Sequence, residues 1–285
     1  MSGRLKSCGL WPVVGGVVAM SVAGLMAQAP QTPAAPPAAA AAAATPAPAG
    51  RVVEFSNETR FQMDYQVPAA ALAALMPPGF TSSVATTGPA KDCNLRVIFI
   101  DRVTINGPDG RPLGKGSSRL IYLEAPARDA AGANVRVVVG GLTDDPADAP
   151  GPFGNYILAT TRNVQRTTTA TGTGPILDVQ DWSMTAPSGE HIEMHVKYER
   201  GGGNKGANPQ TLRIYSAKNP AVFQMSTQEQ VLDILRNTTT NPADRVKEYS
   251  FKAGGGSYAK LFDGTEKALS WDNILWLNRT VSVPQ

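Results

Sequence analysis

RFQMDYQV, residues 60–67, is the clearest β-strand in this sequence of 285 residues. Its apolar members Phe61, Met63 and Tyr65 alternate with polar residues, which is the period of a strand with one buried face. Pro68 then opens a run of helix formers, AAALAALM at residues 69–76, and Pro-Pro-Gly stops that helix. A strand and a short helix therefore begin the folded part of the chain.

Segments with strand-like composition follow almost to the C-terminus. The turn Asn106–Gly110 joins the first two of them, since Asn and Gly accept the positive φ that a hairpin needs. The capping box Ser226–Glu229, ahead of an apolar run, predicts a second short helix. The predicted strands are residues 95–105, 119–125, 134–141, 156–169, 177–185, 191–200, 212–215, 246–251, 257–262 and 274–281. This pattern favours a mainly β (α+β) fold, an antiparallel β-barrel with two short helices, with a sandwich as the alternative.

The N-terminus has the order of an export signal. Arg4 and Lys6 precede an apolar run at residues 10–26, and Ala27-Gln28-Ala29 offers small residues for cleavage. Residues 1–29 are therefore predicted to be a signal peptide, and the protein is expected to be secreted or periplasmic. A retained membrane anchor is the alternative, although the run is short for a spanning helix.

The domain follows a tether. Residues 30–50 are almost only Ala, Pro and Thr, which cannot build a core. Residues 51–285 are long enough for one domain with a sizeable core. We expect no stable membrane span after cleavage of the signal.

Charge and motifs exclude several functions. Residues 1–50 hold two basic residues and no acidic one, so the remaining chain has a net charge of about +1 rather than +3. Without a basic cluster we expect no nucleic-acid partner. Cys93 is the only cysteine beyond the signal, which excludes an intrachain disulfide. Cofactor fingerprints and the common catalytic motifs are absent, so we expect no cofactor.

Both histidines fall in HIEMH, residues 191–195. On a strand, His191, Glu193 and His195 share one face, where they could act as acid and base or hold a metal. A metal-free role is preferred, because no further histidine or cysteine could complete a zinc site. The other interpretation is that this face meets water while Ile192 and Met194 meet the core.

A second polar concentration supplies candidate ligands for a carboxylate. Arg162 and Arg166 share a strand face, and a guanidinium in a pocket pairs well with a carboxylate. Arg60, in the first strand, is the third candidate for substrate binding. Arginines at a barrel rim are the equally weighted alternative.

The sequence resembles the acetoacetate decarboxylase family in several successive segments. Residues 65–77 (YQVPAAALAALMP) resemble the start of that family, where a strand with a Tyr leads to a short helix stopped by Pro. Residues 94–100 (NLRVIFI), 120–124 (LIYLE) and 154–164 (GNYILATTRNV) look like its successive barrel strands. The resemblance implies a barrel of the acetoacetate decarboxylase-like type over most of residues 58–281.

The same resemblance puts the family's reaction in doubt. Its members carry Gly-Arg-Glu, four residues and Pro-Lys-Lys, and a lysine of that motif forms an imine with a β-keto acid. Aligned without gaps from Gly154, this chain has Asn155-Tyr156 and then Thr161-Arg162-Asn163. Arg162 would stand in the place of the lysine, and a guanidinium cannot offer the neutral amine that an imine requires.

The sequence leaves three hypotheses. The first is an exported decarboxylase-like barrel that binds a small organic (keto) acid without imine-forming activity. The second is a lyase-like enzyme or a hydrolase that uses His191, Glu193 and His195. The third is a structural envelope protein with a filled barrel. The barrel interior distinguishes them.

Overall fold

The computed structural model describes residues 50–88, 90–145, 155–237 and 244–284. The predicted signal peptide, nearly all of the predicted tether and Gly154 lie outside these ranges. No helix within these ranges has the length and apolar character that a membrane crossing requires.

The described chain is mainly β-structure, with few helical residues. Its helical elements are α1 (Ala69–Ala73) and a 3₁₀ turn at Gly256–Tyr258. The strands are β1 Arg51–Gln66, β2 Thr81–Ser82, β3 Leu95–Asn106, β4 Ser118–Arg128, β5 Asn134–Thr143, β6 Ile157–Leu158, β7 Thr161–Thr169, β8 Leu177–Thr185, β9 His191–Glu199, β10 Asn204–Lys205, β11 Gln210–Ser216, β12 Phe223–Asn237, β13 Val246–Gly254 and β14 Lys267–Val283.

A ring of hydrogen-bonded strands forms the barrel. β4, β3, β1, β14, β12, β11 and β5 follow one another, and β5 pairs again with β4, which closes the ring. These pairings are antiparallel except between β5 and β11, where Arg136–Val138 runs parallel to Ile214–Ser216. The barrel is therefore mixed, where a purely antiparallel one was expected.

A second sheet, in the order β13-β9-β8-β7, packs against the outside of the barrel. The ring of Phe61 on β1 lies 5.8 Å from that of Tyr198, and the ring of Phe99 on β3 lies 5.5 Å from that of Trp182. The main hydrophobic core thus lies between the barrel wall and this sheet. The predicted strand at 156–169 is two strands, because β6 joins the barrel and β7 joins the second sheet.

The predicted second helix is wrong, because its residues belong to the long strand β12. β12 pairs with β11 on one side and β14 on the other. Leu232 and Ile234 face the barrel interior, whereas Leu235 is buried in the main core. Apolar residues on both faces of a strand imitate helical spacing, and pairing on both sides overrides the local capping signal.

The predicted strand at 257–262 is also wrong, since the chain turns there instead. Gly255 and Gly256 have φ of 71° and 46°, in the left-handed region that favours glycine. The buried Tyr258 hydroxyl accepts a hydrogen bond of 2.8 Å from the Gly141 amide. This bond ties the turn to barrel strand β5.

Buried and exposed side chains alternate along β9, so substitutions at two neighbouring residues can test which face is buried. Ile192 is fully buried in the core, whereas its neighbour Glu193 is exposed. We expect Ile192→Ala to lower the free energy of unfolding by about 2–5 kcal/mol, because it leaves a cavity. Glu193→Ala should change it by less than about 0.5 kcal/mol. Urea denaturation measures both, and equal losses would contradict the assigned faces.

Candidate functional site

The barrel interior is polar because β1 turns its polar residues inward. The side chains of β1 that face the interior are Glu54, Ser56, Glu58, Arg60, Gln62 and Asp64. The intervening Phe61, Met63 and Tyr65 belong to the main core. Between Arg60 and Tyr65 both faces of this strand are therefore covered, and its polar face meets a cavity.

A network of charges closes one end of the barrel. Glu58 is 0% exposed and lies 2.6 Å from Arg60 Nη2 and 2.9 Å from Arg279 Nη2. Arg279 also reaches Glu54 at 2.7 Å, and the fully buried Arg102 reaches the same carboxylate at 2.5 Å. Burial alone would raise the pKa of Glu58, but the surrounding guanidinium groups outweigh it and lower that pKa to about 2.

A cavity of about 320 Å³ lies above this network inside the barrel. Its apolar wall contains Ile98, Ile214, Leu232 and Ile274. Its polar wall contains Arg60, Gln62, Asp64, Arg96, Tyr122, Glu124, Arg136, Gln210, Gln228, Gln230, Asp272 and Arg279. No lysine is among the described residues that line this cavity. A concave site with an apolar wall and convergent polar groups is suited to a small ligand.

The open end of the cavity carries alternating charges. Arg96 Nε lies 2.9 Å from Asp64, and Arg136 Nε lies 3.7 Å from Glu124. Arg96 and Arg136 also line a second cavity of about 310 Å³ outside the mouth. These two guanidinium groups therefore stand between the outer cavity and the barrel interior.

Arg136 is the less compensated of the two. Burial lowers its pKa, the contact with Glu124 opposes that shift, and the neighbouring Arg96 lowers the pKa further. A guanidinium in this position retains hydrogen-bond donors for an anion.

Asp272 is a carboxyl group of the cavity with a pKa raised towards neutrality. Burial and then the charge of Asp64 raise its pKa from 3.8 to about 7, while a hydrogen bond from Ser270 Oγ (3.0 Å) and the charge of Arg96 act against the rise. Among the described residues, Asp272 forms no ion pair. It therefore exchanges a proton at a pH where the cavity's arginines keep their charge.

The three residues of the histidine face lie outside the barrel. His191, Glu193 and His195 project from the solvent side of the second sheet. His195 Nδ1 donates to Asp181 at 2.7 Å, and its Nε2 lies 3.6 Å from Glu248. The bond to Asp181 is the largest cause of a raised His195 pKa.

Throughout the described residues, no three or more His, Cys, Asp or Glu side chains are arranged to hold a metal ion.

The three candidate arginines separate in the structure. Arg60 lies in the cavity, whereas Arg162 and Arg166 lie on β7 at the edge of the second sheet, outside the cavity. Arg162 Nη1 donates to the Asp144 carbonyl at 3.2 Å, and Arg166 lies 3.5 Å from Asp101.

Sequence reasoning missed Arg96, Arg136, Tyr122 and Asp272. A signal was present in NLRVIFI, residues 94–100, where an arginine interrupts an otherwise apolar strand. Such a residue marks an inward-facing polar position when the strand belongs to a barrel. Asp272 precedes the predicted start of the last strand, Ile274. In the structure that strand begins at Lys267 and includes Asp272.

The raised pKa of Asp272 predicts a pH-dependent stability. In the unfolded chain its carboxyl ionises near pH 3.8, whereas the folded protein keeps the proton up to about pH 7. Asp272 therefore makes unfolding easier as the pH rises between these values, by at most about 4 kcal/mol. Asp272→Asn removes this contribution, so its stability relative to wild type should increase from pH 4 to pH 7. A constant difference in urea denaturation across that range would contradict the assignment.

The similarity of this chain to known proteins was found by comparing structures and not by comparing sequences. No family model and no curated protein matches the sequence. The enduracididine biosynthesis enzyme MppR, solved with the condensation product of pyruvate and imidazole 4-carboxaldehyde, is similar with a TM-score of 0.50 and 12% identity. That match covers 82% of this chain and 88% of the enzyme.

Two further solved structures have lower scores. An acetoacetate decarboxylase-like enzyme from Sphingomonas wittichii RW1 has a TM-score of 0.48 and 10% identity, over 82% of this chain and 92% of that one. An acetoacetate decarboxylase from Legionella pneumophila has a TM-score of 0.46 and 13% identity, over 85% and 93%. At such identities the likeness concerns the fold. This chain has a closed, mixed β-barrel, and its fold is similar to that of MppR.

Proposed function

We propose that this protein binds a small organic acid, of the keto acid class, inside the barrel and does not decarboxylate it through an imine. The observation that carries the proposal is the lining of the cavity, where Arg60, Arg96, Arg136 and Arg279 contribute guanidinium groups and no described residue contributes a lysine. Guanidinium groups pair with carboxylates but cannot act as amine nucleophiles. The chemistry therefore favours binding over imine formation.

The fold gives this proposal further support. The solved enzyme MppR, similar in fold, holds a compound formed from pyruvate. A pyruvate-derived ligand combines carboxylate and carbonyl chemistry, and the guanidinium and amide groups of this cavity would complement both.

Export is part of the proposal. It rests on the basic start, the apolar run at residues 10–26 and the small residues that follow. The protein would then meet its ligand outside the cytoplasm.

The alternatives are less favoured. A general acid-base site at His191, Glu193 and His195 would stand on the solvent side of the second sheet, outside the barrel. Glu193 and His195 line a depression of about 290 Å³ there, but His191 is not among its described lining residues. A filled barrel without a ligand does not agree with an interior cavity of about 320 Å³.

Binding is tested with levulinate, a stable keto acid, and 2-pentanone, which has the same carbonyl but no carboxylate. We expect isothermal titration calorimetry of the purified protein to detect levulinate and not 2-pentanone. Arg136→Gln should weaken levulinate binding by about tenfold or more, since a charge-assisted hydrogen bond contributes about 1.5–3 kcal/mol. Arg136 is chosen because Arg60 and Arg279 also hold the buried Glu58.

Arg162→Gln is the matched control, because Arg162 lies outside the cavity. It should leave the affinity for levulinate unchanged. Absence of levulinate binding, or equal binding of 2-pentanone, would refute the proposal.

Borohydride trapping tests the absence of an imine. We expect incubation with levulinate and borohydride to give no covalent adduct on a cavity residue, because reduction requires an imine formed with an amine. Mass spectrometry with peptide mapping reads the result. An adduct on one lysine, formed in proportion to bound acid, would show that an amine reaches the ligand.

A further inference from the structure

The two aspartates at the mouth of the cavity are held differently. Asp64 and Asp272 lie on the paired strands β1 and β14. They are two residues out of register, because Asp64 lies opposite Ser270 and Asp272 lies opposite Gln62. Their side chains are 1% and 5% exposed. Asp64 pairs with the Arg96 guanidinium at 2.9 Å, whereas Asp272 receives only the neutral Ser270 hydroxyl among the described hydrogen bonds.

Charged groups on the neighbouring strands also act on Asp272. Asp64 on β1 and Asp233 on β12 disfavour its ionised form, and Arg96 on β3 favours it. Arg136 on β5 and Glu124 on β4 face the same cavity but pair with each other at 3.7 Å. The surroundings therefore hold Asp272 as a neutral acid up to about pH 7.

The charge balance of the interior depends on that proton. The arginines of the cavity and its closed end are Arg60, Arg96, Arg102, Arg136 and Arg279, and the carboxylates other than Asp272 are Glu54, Glu58, Asp64 and Glu124. With Asp272 neutral, these groups leave one positive charge, which a single carboxylate would neutralise. With Asp272 ionised, the same carboxylate would leave a buried negative charge in excess.

We propose that Asp272 contacts the bound keto acid as a neutral carboxylic acid, donating a hydrogen bond to the keto oxygen, so that binding at alkaline pH takes up one proton. The ionised Asp272 carboxylate, one proton from solvent and the organic anion combine to give the neutral acid and the bound anion. A protonated Asp supplies the O–H that a keto oxygen, which only accepts, requires. The inference rests on the proposed function and assigns the ligand a second contact.

Calorimetry at pH 8 in phosphate and in Tris measures the proton uptake, because the two buffers differ in their heat of ionisation. For levulinate we expect uptake close to one proton by the wild type and close to zero by Asp272→Asn. Above pH 7 the wild-type Kd should rise up to about tenfold per pH unit, while that of Asp272→Asn stays nearly constant. Asp263→Asn, at an exposed turn, is the control and should retain the uptake.

Pentanoate tests the contact with the keto oxygen, since it has the same chain and carboxylate without the carbonyl. We expect it to bind the wild type about three- to tenfold more weakly than levulinate, the range of one neutral hydrogen bond. Equal affinities would overturn the contact.

The outcomes separate the two proposals. Levulinate binding without proton uptake, or with equal uptake by Asp272→Asn, would overturn the role of Asp272 and leave the proposed function standing. No levulinate binding by either protein would overturn the proposed function. A measurement without ligand follows the carboxyl ¹³C signal of Asp272, which is identified as the wild-type signal that is missing from the spectrum of Asp272→Asn. If this signal titrates below pH 5, the role of Asp272 is overturned.

Discussion

The buried carboxylate of Glu58 is the constraint on which the polar interior depends. With 0% of its surface exposed, its charge is stable only because guanidinium groups from β1, β3 and β14 surround it. Removing one partner from such a network typically costs about 3–5 kcal/mol, because a buried charge is left uncompensated. The charge pairs therefore fix these strands at the closed end, and the open end remains available to a ligand.

A barrel with a polar interior needs its apolar core elsewhere, and here the second sheet provides it. Trp182 and Tyr198 pack against Phe99 and Phe61 on the outside of the barrel wall. Burying these large rings supplies the hydrophobic stabilisation that a filled barrel would obtain from its centre. Because the apolar core lies between the barrel wall and the second sheet, the barrel interior has room for a cavity of about 320 Å³.

The sequence predicted the strands better than it predicted what each face meets. The alternation in RFQMDYQV, residues 60–67, identified β1, but a period of two cannot distinguish water from a polar cavity behind the second face. On β9, Ile192 and Met194 meet the core and the histidines meet solvent, which was one of two open interpretations. Whether a polar strand face meets solvent or a cavity is determined by the closure of the barrel, and that closure depends on pairing between strands that are distant in the sequence.

The likeness of this barrel to solved enzymes concerns the path of the chain, and the chemistry depends on which side chains enter the interior. An amine in such a cavity could change both its charge and its covalent state, whereas a guanidinium keeps one charge throughout the physiological range. In a cavity lined by Arg60, Arg96, Arg136 and Arg279, attraction for an anion is therefore constant, and any response to pH must come from a carboxyl group. Asp272 lacks the close guanidinium partner that Asp64 has, and its burial places its proton exchange near neutrality. The burial of Asp272 without a close guanidinium partner, and not the number of arginines, thus makes the cavity sensitive to pH.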